Sequence, residues 1–179
     1  MKEMLSQSFG RLEKKREAII NRLSGWTEEQ LTFRPGPGQW NCVQVLHHVQ
    51  LVEHFTCVSI GKGLGKAETL PRVTLRSSLT AAMLRALLRL PIRLKIPTPR
   101  VAPDEALSFD TVVENWRKNR EQLKDYLQQI PEGAEKMAFY KHPFAGLINA
   151  PQTLKFLQSH FDHHLIQIRR IEKAADFPR

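Results

Sequence analysis

The stretch that decides the fold is residues 151–174, PQTLKFLQSHFDHHLIQIRRIEKA. Its apolar residues recur at intervals of three and four, the spacing of one face of an α-helix, so a long helix is predicted here. The main apolar stripe comprises Leu154, Leu157, Phe161, Leu165 and Ile168. A second stripe beside it comprises Phe156, His160, His164, Gln167 and Ile171. Two histidines therefore share the inward side of the predicted helix.

Three further long helices are predicted by the same periodicity, over residues 4–23, about 42–60 and about 109–130. Asn41 can cap the second of these helices, and Gly61, Gly63 and Gly65 are expected to end it. The third is expected to begin after Ser108 or Asp110 and to end at Pro131, whose ring cannot continue a helix.

The segment between the second and third long helices is less regular. Ser77 or Ser78 can cap a short helix through LTAAMLRALLRL, and Pro91 must stop it. Pro97, Pro99 and Pro103 are expected to keep the following strip extended. The later stretch MAFYKH is too short and isolated to build a sheet.

The predicted fold class is therefore all-α. We expect a four-helix bundle with a short extra helix and an extended basic segment between helices two and three, in a single domain over residues 1–179. A chain of this length, with 41% hydrophobic residues, can bury a core without disulfides.

The net charge of +9 is concentrated in one segment. Residues 69–103 contain no acidic residue and seven basic ones, namely Arg72, Arg76, Arg85, Arg89, Arg93, Lys95 and Arg100. Such a segment could meet an anionic ligand, a phospholipid surface or nucleic acid, or could simply be solvated beside apolar residues. No helix-turn-helix spacing, zinc finger or aromatic–basic platform is visible, so no nucleic-acid partner is expected.

The two cysteines and the absence of targeting segments bear on the compartment. Cys42 and Cys57 lie fifteen positions apart on one predicted helix, too far along a rigid rod for a disulfide. The first residues, MKEMLSQSFGRLEKK, lack the continuous apolar run and small-residue cleavage site expected of a secretory signal, and no apolar run of about 20 residues predicts a transmembrane segment. We expect a cytoplasmic protein with reduced thiols.

The histidines are the main candidates for a functional site. A helix places His160 and His164, four residues apart, on one face at adjacent turns, where two imidazoles can share one ion. His48 follows the three-four spacing of Val45, Val52 and Phe55 and so also falls on a buried stripe. Three nitrogen ligands with one open position are typical of a catalytic metal site.

The remaining histidines are expected to take other roles, and the three candidate ligands also have an interpretation without a metal. A buried histidine satisfied by ordinary hydrogen bonds is the commoner case. His47, His54 and His163 are expected to be solvated or to orient the ligands, and His142 to serve a loop. Glu53 or His54 could add a fourth ligand only if their helix turned or slid.

Two segments resemble the DinB-like superfamily of small helical bundles with a three-histidine metal centre. In PGPGQWNCVQVLHHV, a tryptophan is followed eight residues later by His48, with Glu53 further on. In HPFAGLINAPQTLKFLQSHFDHHLIQIRRI, a phenylalanine–glycine turn leads to H-x-x-x-H and a glutamine. The resemblance covers nearly the whole chain and implies His48, His160 and His164 as metal ligands. The chain departs from the family pattern in having Asn41 after the tryptophan and His163 before the last histidine.

Two functions are compatible with these patterns. The first is a metal-dependent thiol S-transferase or hydrolase that uses Zn, Ni, Fe or Mn, with Gln167 or Glu53 in substrate contact or proton transfer. Its partner would be a small-molecule substrate such as a low-molecular-weight thiol, and a homodimer is possible. The second is a non-catalytic, stress-associated metal- or ligand-binding bundle, in which LRALLRLPIRLK could lie on a membrane surface.

Overall fold

The computed structural model describes residues 2–90 and 98–179, most of which are helical. The helices are α1 (Lys2–Leu23), α2 (Glu28–Thr32), α3 (Cys42–Leu64), α4 (Leu75–Leu88), α5 (Phe109–Gln129) and α6 (Ala150–Glu172). Two strands, β1 (Tyr140–His142) and β2 (Gly146–Ile148), form a small antiparallel hairpin. The expected all-α class is confirmed.

Four long helices surround one apolar core. Helices α1 and α3 each pack against both α5 and α6, and α4 lies outside this arrangement against α6 and β2. Side chains with no exposed surface come from all four long helices, among them Leu12, Leu46, Leu123 and Leu154. The four-helix bundle with a short extra helix between the second and third long helices is thus confirmed. Arg93 and Lys95 of the basic segment lie outside the described residues.

No helix in the described part of the chain combines the length and the apolar character needed to cross a bilayer.

The two helices that carry the clustered histidines begin with the same device. The Asn41 side chain accepts a hydrogen bond from the Gln44 backbone N–H at 2.8 Å, and the Gln44 side chain accepts one from the Asn41 N–H. Asn149 and Gln152 form the equivalent pair at the start of α6. Such N-caps contribute about 1 kcal/mol each and fix where the helix starts. By fixing the first residue of each helix, the caps help to set the direction in which the side chains that follow point.

Glycines at 61 and 63 do not end α3, contrary to the prediction. The helix continues to Leu64, because both glycines serve close contacts rather than termination. A Cβ on Gly61 would lie 2.8 Å from the Tyr126 ring, and a Cβ on Gly63 would lie 3.2 Å from the Phe139 ring. A glycine inside a helix costs only about 1 kcal/mol relative to alanine, which the packing of α3 can offset.

The start of α4 and the strip after it also differ from the prediction. Thr74, rather than Ser77 or Ser78, caps α4, since the Thr74 hydroxyl accepts a hydrogen bond from the Ser77 N–H at 3.1 Å. Ser77 occupies the third helical position, and its hydroxyl oxygen accepts a hydrogen bond from the Thr74 N–H. Residues Pro99–Val101 form a 3-10 turn, so this part of the strip is not extended.

Two elements were missed by the sequence patterns. The prediction that MAFYKH builds no sheet was wrong, because Tyr140–His142 finds its partner strand only a few residues later, where Gly146 begins β2 with φ +71°. Helix α2 lies between the first two predicted long helices, where no helix was predicted. Its capping box, Thr27 with Gln30, is a pattern that could have predicted it.

A buried ion pair ties α3 to α5. Glu53 accepts hydrogen bonds from Arg120 at 2.6 and 2.8 Å and from the Trp116 indole N–H at 2.7 Å. The Glu53 and Arg120 side chains are each 1% exposed. Because both charges are out of water, neither can lose its partner without leaving an uncompensated buried ion.

We predict that Glu53→Gln lowers the free energy of unfolding by about 3–5 kcal/mol, since it leaves the Arg120 charge buried and unpaired. Urea unfolding followed by circular dichroism measures the change. Glu114→Gln is the matched control, because Glu114 pairs with Arg117 on the exposed side of α5. The control should unfold close to the wild type. Equal unfolding midpoints for the two variants would contradict this account of the pair.

Candidate metal centre

Three histidines from two helices converge inside the bundle. His48 comes from α3, and His160 and His164 come from adjacent turns of α6. The Nε2 atom of His160 lies 3.2 Å from Nε2 of His48 and 3.2 Å from Nε2 of His164. Each ring offers one nitrogen to a set whose members all lie within 4.8 Å of one another. The structure thus brings the three predicted ligands together.

The outer nitrogens of two of these rings determine where their hydrogens lie. His48 Nδ1–H donates to the Val101 carbonyl at 2.7 Å, and His164 Nδ1–H donates to the Gln167 side-chain oxygen at 2.9 Å. The Val101 backbone carbonyl can only accept, so His48 Nδ1 must carry the hydrogen, and the orientation of the Gln167 amide assigns the same tautomer to His164. In the neutral rings, the Nε2 atoms of His48 and His164 are therefore left with lone pairs directed at His160.

The hydrogens available cannot satisfy this cluster. His160 Nε2 faces two bare nitrogens, and a single N–H there could donate to only one of them. The other short contact would set two lone pairs against each other, which a cation relieves and a hydrogen bond does not. Nitrogens bound to a tetrahedral zinc ion at 2.0–2.1 Å lie about 3.3 Å apart, close to the two 3.2 Å separations from His160, and the third pair lies within 4.8 Å. The donor set therefore fits a metal ion.

Burial keeps all three rings neutral. The exposed fractions are 5% for His48, 8% for His160 and 7% for His164. Loss of solvation is the main cause that lowers the pKa of His48, lowers that of His164 to about 3 and holds that of His160 well below its ordinary value. The neighbouring imidazoles lower each pKa further. Neutral imidazole is the form that ligates metals.

Two neighbouring histidines hold the surrounding elements instead of joining the cluster. His47 Nδ1 accepts from the Asp104 N–H at 3.0 Å, and His163 Nδ1–H donates to the Leu88 carbonyl at 3.0 Å. His47 is 6% exposed, so burial does not separate it from His48. The two are separated by the direction in which their rings point. The same criterion shows which histidine of each adjacent pair faces the cluster.

The two remaining histidines also lie outside the cluster. His54 Nδ1 is 3.3 Å from the Asn119 side-chain oxygen, on the side of α3 that meets α5. His142 Nδ1 accepts from the backbone N–H groups of Phe144 and Ala145, both at 3.1 Å, and so shapes the hairpin turn. Burial lowers the pKa of His142 to about 4.

The three histidines open onto a cavity of about 1060 Å³. Its apolar wall includes the indole of Trp40, whose ring centre is 5.1 Å from that of His48, and the ring of Phe156, 5.6 Å from that of His160. Four basic residues also line it, namely Lys62, Arg100, Lys141 and Arg170. None of the lining residues described is acidic. The cavity therefore suits a partly apolar molecule that carries negative charge.

The structure separates the two residues proposed for substrate contact or proton transfer. Gln167 lines the cavity and bonds His164, next to the cluster. Glu53 is not among the residues of the cavity wall, and both of its oxygens are bonded to Arg120 or Trp116. Trp116 and Arg120 are four residues apart on α5, so they reach Glu53 from adjacent turns of that helix.

The cysteines take no part in this centre. Cys42 and Cys57 are buried free thiols, and burial raises the pKa of each to about 12. Within the described residues, the only cluster of potential ligands that includes three or more groups is the histidine one.

By its fold and its site, this protein belongs to the class of helical bundles in which two helices bring three histidines together. A family model described as the DinB superfamily matches residues 11–168. Because the match covers most of the chain, the protein belongs to the DinB superfamily, as the sequence motifs implied. Comparison with curated proteins and with solved structures finds no significant match.

Proposed function

We propose that this protein is a metal-dependent enzyme that holds one divalent transition metal ion through His48, His160 and His164 and acts on a small molecule in the adjoining cavity. The observation that carries the proposal is the set of short Nε2 contacts, which neutral imidazoles cannot satisfy with hydrogen bonds alone. Imidazole donors suit Zn, Ni and Fe, whereas Mn prefers oxygen ligands and so fits this donor set less well.

An ion held by three imidazoles with a further position open would lower the pKa of a bound water or thiol and so supply a nucleophile near neutral pH. The residues of the chain provide the setting. The Val101 carbonyl and Gln167 orient two of the rings, as groups around a metal commonly do. Trp40 and Phe156 exclude water from one side of the cluster. We assign the polar contact with the substrate to Gln167, and we give Glu53 a role in packing.

The charge of the cavity supports a thiol S-transferase, with hydrolysis as the other reaction open to the same centre. Lys62, Arg100 and Lys141 line the cavity without a neighbouring carboxylate in the described wall. A low-molecular-weight thiol that carries carboxylates would meet these cations while its sulfur reached the histidines. The apolar wall would receive the second, less polar substrate.

We expect purified protein to hold about one transition metal ion per chain. His48→Ala and His164→Ala should each lose it, since either change removes one of three ligands. Elemental analysis after gel filtration measures the content. The adjacent His47→Ala and His163→Ala are matched controls that delete an imidazole one position away and should keep the metal. Loss in all four variants, or in none, would contradict the assignment.

Gln167→Met should weaken metal affinity by roughly 10- to 100-fold, because His164 loses the acceptor that fixes its tautomer. Gln167→Glu keeps an acceptor and should restore most of the affinity. Competition with a chromophoric chelator gives the dissociation constants. Gln158→Met is the matched control on the same helix, since Gln158 bonds the Ser8 carbonyl instead of a ring. Equal affinity for Gln167→Met and the control would exclude the proposed contact.

The metal-loaded protein should conjugate a dianionic thiol, such as mercaptosuccinate, to a bimane electrophile faster than it conjugates neutral mercaptoethanol. Activity should disappear with a chelator and in His160→Ala, and Lys62→Glu with Lys141→Glu should raise the KM for mercaptosuccinate only. A loaded protein that neither conjugates thiols nor hydrolyses nitrophenyl esters would favour a non-catalytic metal-binding bundle.

A further inference from the structure

Large exposed apolar side chains are concentrated on one surface of the molecule. Six of the seven in the described residues belong to α4, to the residue after its cap, or to the hairpin turn, and the seventh is Met4 on α1. The six are Leu75 (91% exposed), Leu79 (63%), Met83 (64%), Leu87 (38%), Leu90 (50%) and Phe144 (64%). A contiguous patch of this kind marks an interaction surface more often than isolated exposed residues do.

Four of these residues form what we call the α4 stripe, namely Leu75, Leu79, Met83 and Leu87. Their spacing of four places them along one side of the helix over about 18 Å. The opposite side of α4 is buried through Ala81 and Leu88, which are 3% and 4% exposed. Since α4 already packs on α6 and β2 through that side, the stripe is not needed to hold the helix in place.

The hairpin turn extends the patch. The Thr80 hydroxyl donates to the Ala145 carbonyl at 3.0 Å, so the turn that carries Phe144 is fixed beside α4. Phe144 and Leu84 also line the cavity in front of the histidines. The patch and the cavity are therefore neighbours on the surface.

The charge of the segment that carries the patch has a single sign. In the described parts of residues 69–103, the charged residues are Arg72, Arg76, Arg85, Arg89 and Arg100. None of these five arginines makes an ion pair within the described residues. Arg85 and Arg89 are one turn apart on the side of α4 next to the stripe.

The exposed apolar side chains and the arginines together favour an anionic membrane over a second copy of the chain as the binding partner of this surface. In a symmetric pair, the same patch would face itself and would bring two groups of arginines together without acidic groups to offset them. An anionic bilayer surface offers both complements at once. Its phosphates can meet the arginines while the apolar side chains reach the acyl region about 5–10 Å below.

We propose that the α4 stripe, Phe144 and the flanking arginines form a docking surface for an anionic phospholipid membrane. This binding is separate from the proposed metal chemistry and does not depend on it. In the docked state the mouth of the cavity, at Leu84 and Phe144, adjoins the bilayer. The cavity could then receive amphiphilic molecules from the membrane surface.

Co-sedimentation with vesicles tests the proposal. The wild-type protein should sediment with phosphatidylglycerol–phosphatidylcholine vesicles at low salt, much less at high salt, and hardly with pure phosphatidylcholine. Leu79→Asp with Met83→Asp should weaken the partition coefficient at least roughly tenfold. Met4→Asp, which changes the exposed apolar residue of α1 instead of one on α4 or the hairpin turn, is the matched control and should bind as the wild type does.

A second pair of variants tests the arginines independently of the apolar stripe. Arg85→Glu with Arg89→Glu should also weaken binding at least roughly tenfold. Lys14→Glu with Lys124→Glu makes the same change in net charge at exposed sites on α1 and α5 and should have a smaller effect. Circular dichroism melting and metal content should match the wild type in all variants, which keeps this test distinct from that of the metal centre.

Three results would overturn the proposal. One is the absence of binding to anionic vesicles at low salt. Another is undiminished binding by Leu79→Asp with Met83→Asp, which would show that the stripe does not enter the bilayer. The third is a dimer in sedimentation equilibrium that this double variant dissociates, which would assign the stripe to a second copy of the chain.

Discussion

The mutual approach of three imidazole nitrogens is the constraint on which the rest of this site depends. His48 and His164 each direct a bare Nε2 at His160, since their other nitrogens donate to oxygen acceptors. Such an arrangement inside a protein is unfavourable unless something positive occupies the point of convergence, because buried polar groups without partners cost free energy. A divalent cation satisfies all three donors at once, which is why the site favours metal binding over a network of hydrogen bonds.

The elements around the bundle serve this convergence. The turn Pro99–Val101 packs on α3 and supplies the carbonyl that orients His48, while the Asp104 N–H holds His47 beside it. Helix α4 is bonded through the Leu88 carbonyl to His163 on α6. The doubled histidines thus have distinct tasks. One of each pair faces the cluster, and the other attaches the segment that closes the cavity.

Local periodicity was enough to predict the bundle and the three convergent histidines. A helix brings i and i+4 together by its geometry, so His160 and His164 required no tertiary information. The Val101 carbonyl was not predictable, because a backbone group from a distant segment leaves no residue pattern. Glu53 was placed near the chemistry, although its partner Arg120 lies on another helix and can be identified only after the helices are packed. Gly61 was read as a terminator because its contact with Tyr126 is equally non-local.

X-ray absorption at the edge of the bound metal tests the central claim most directly, because it counts and measures the ligands of the ion itself. The account predicts three imidazole nitrogens at about 2.0–2.1 Å for zinc, with the remaining position filled by an oxygen or nitrogen donor. The signal from three imidazoles should fall to two in His48→Ala if any metal is retained. A spectrum dominated by sulfur, or one with fewer than three imidazoles in the wild-type protein, would contradict it.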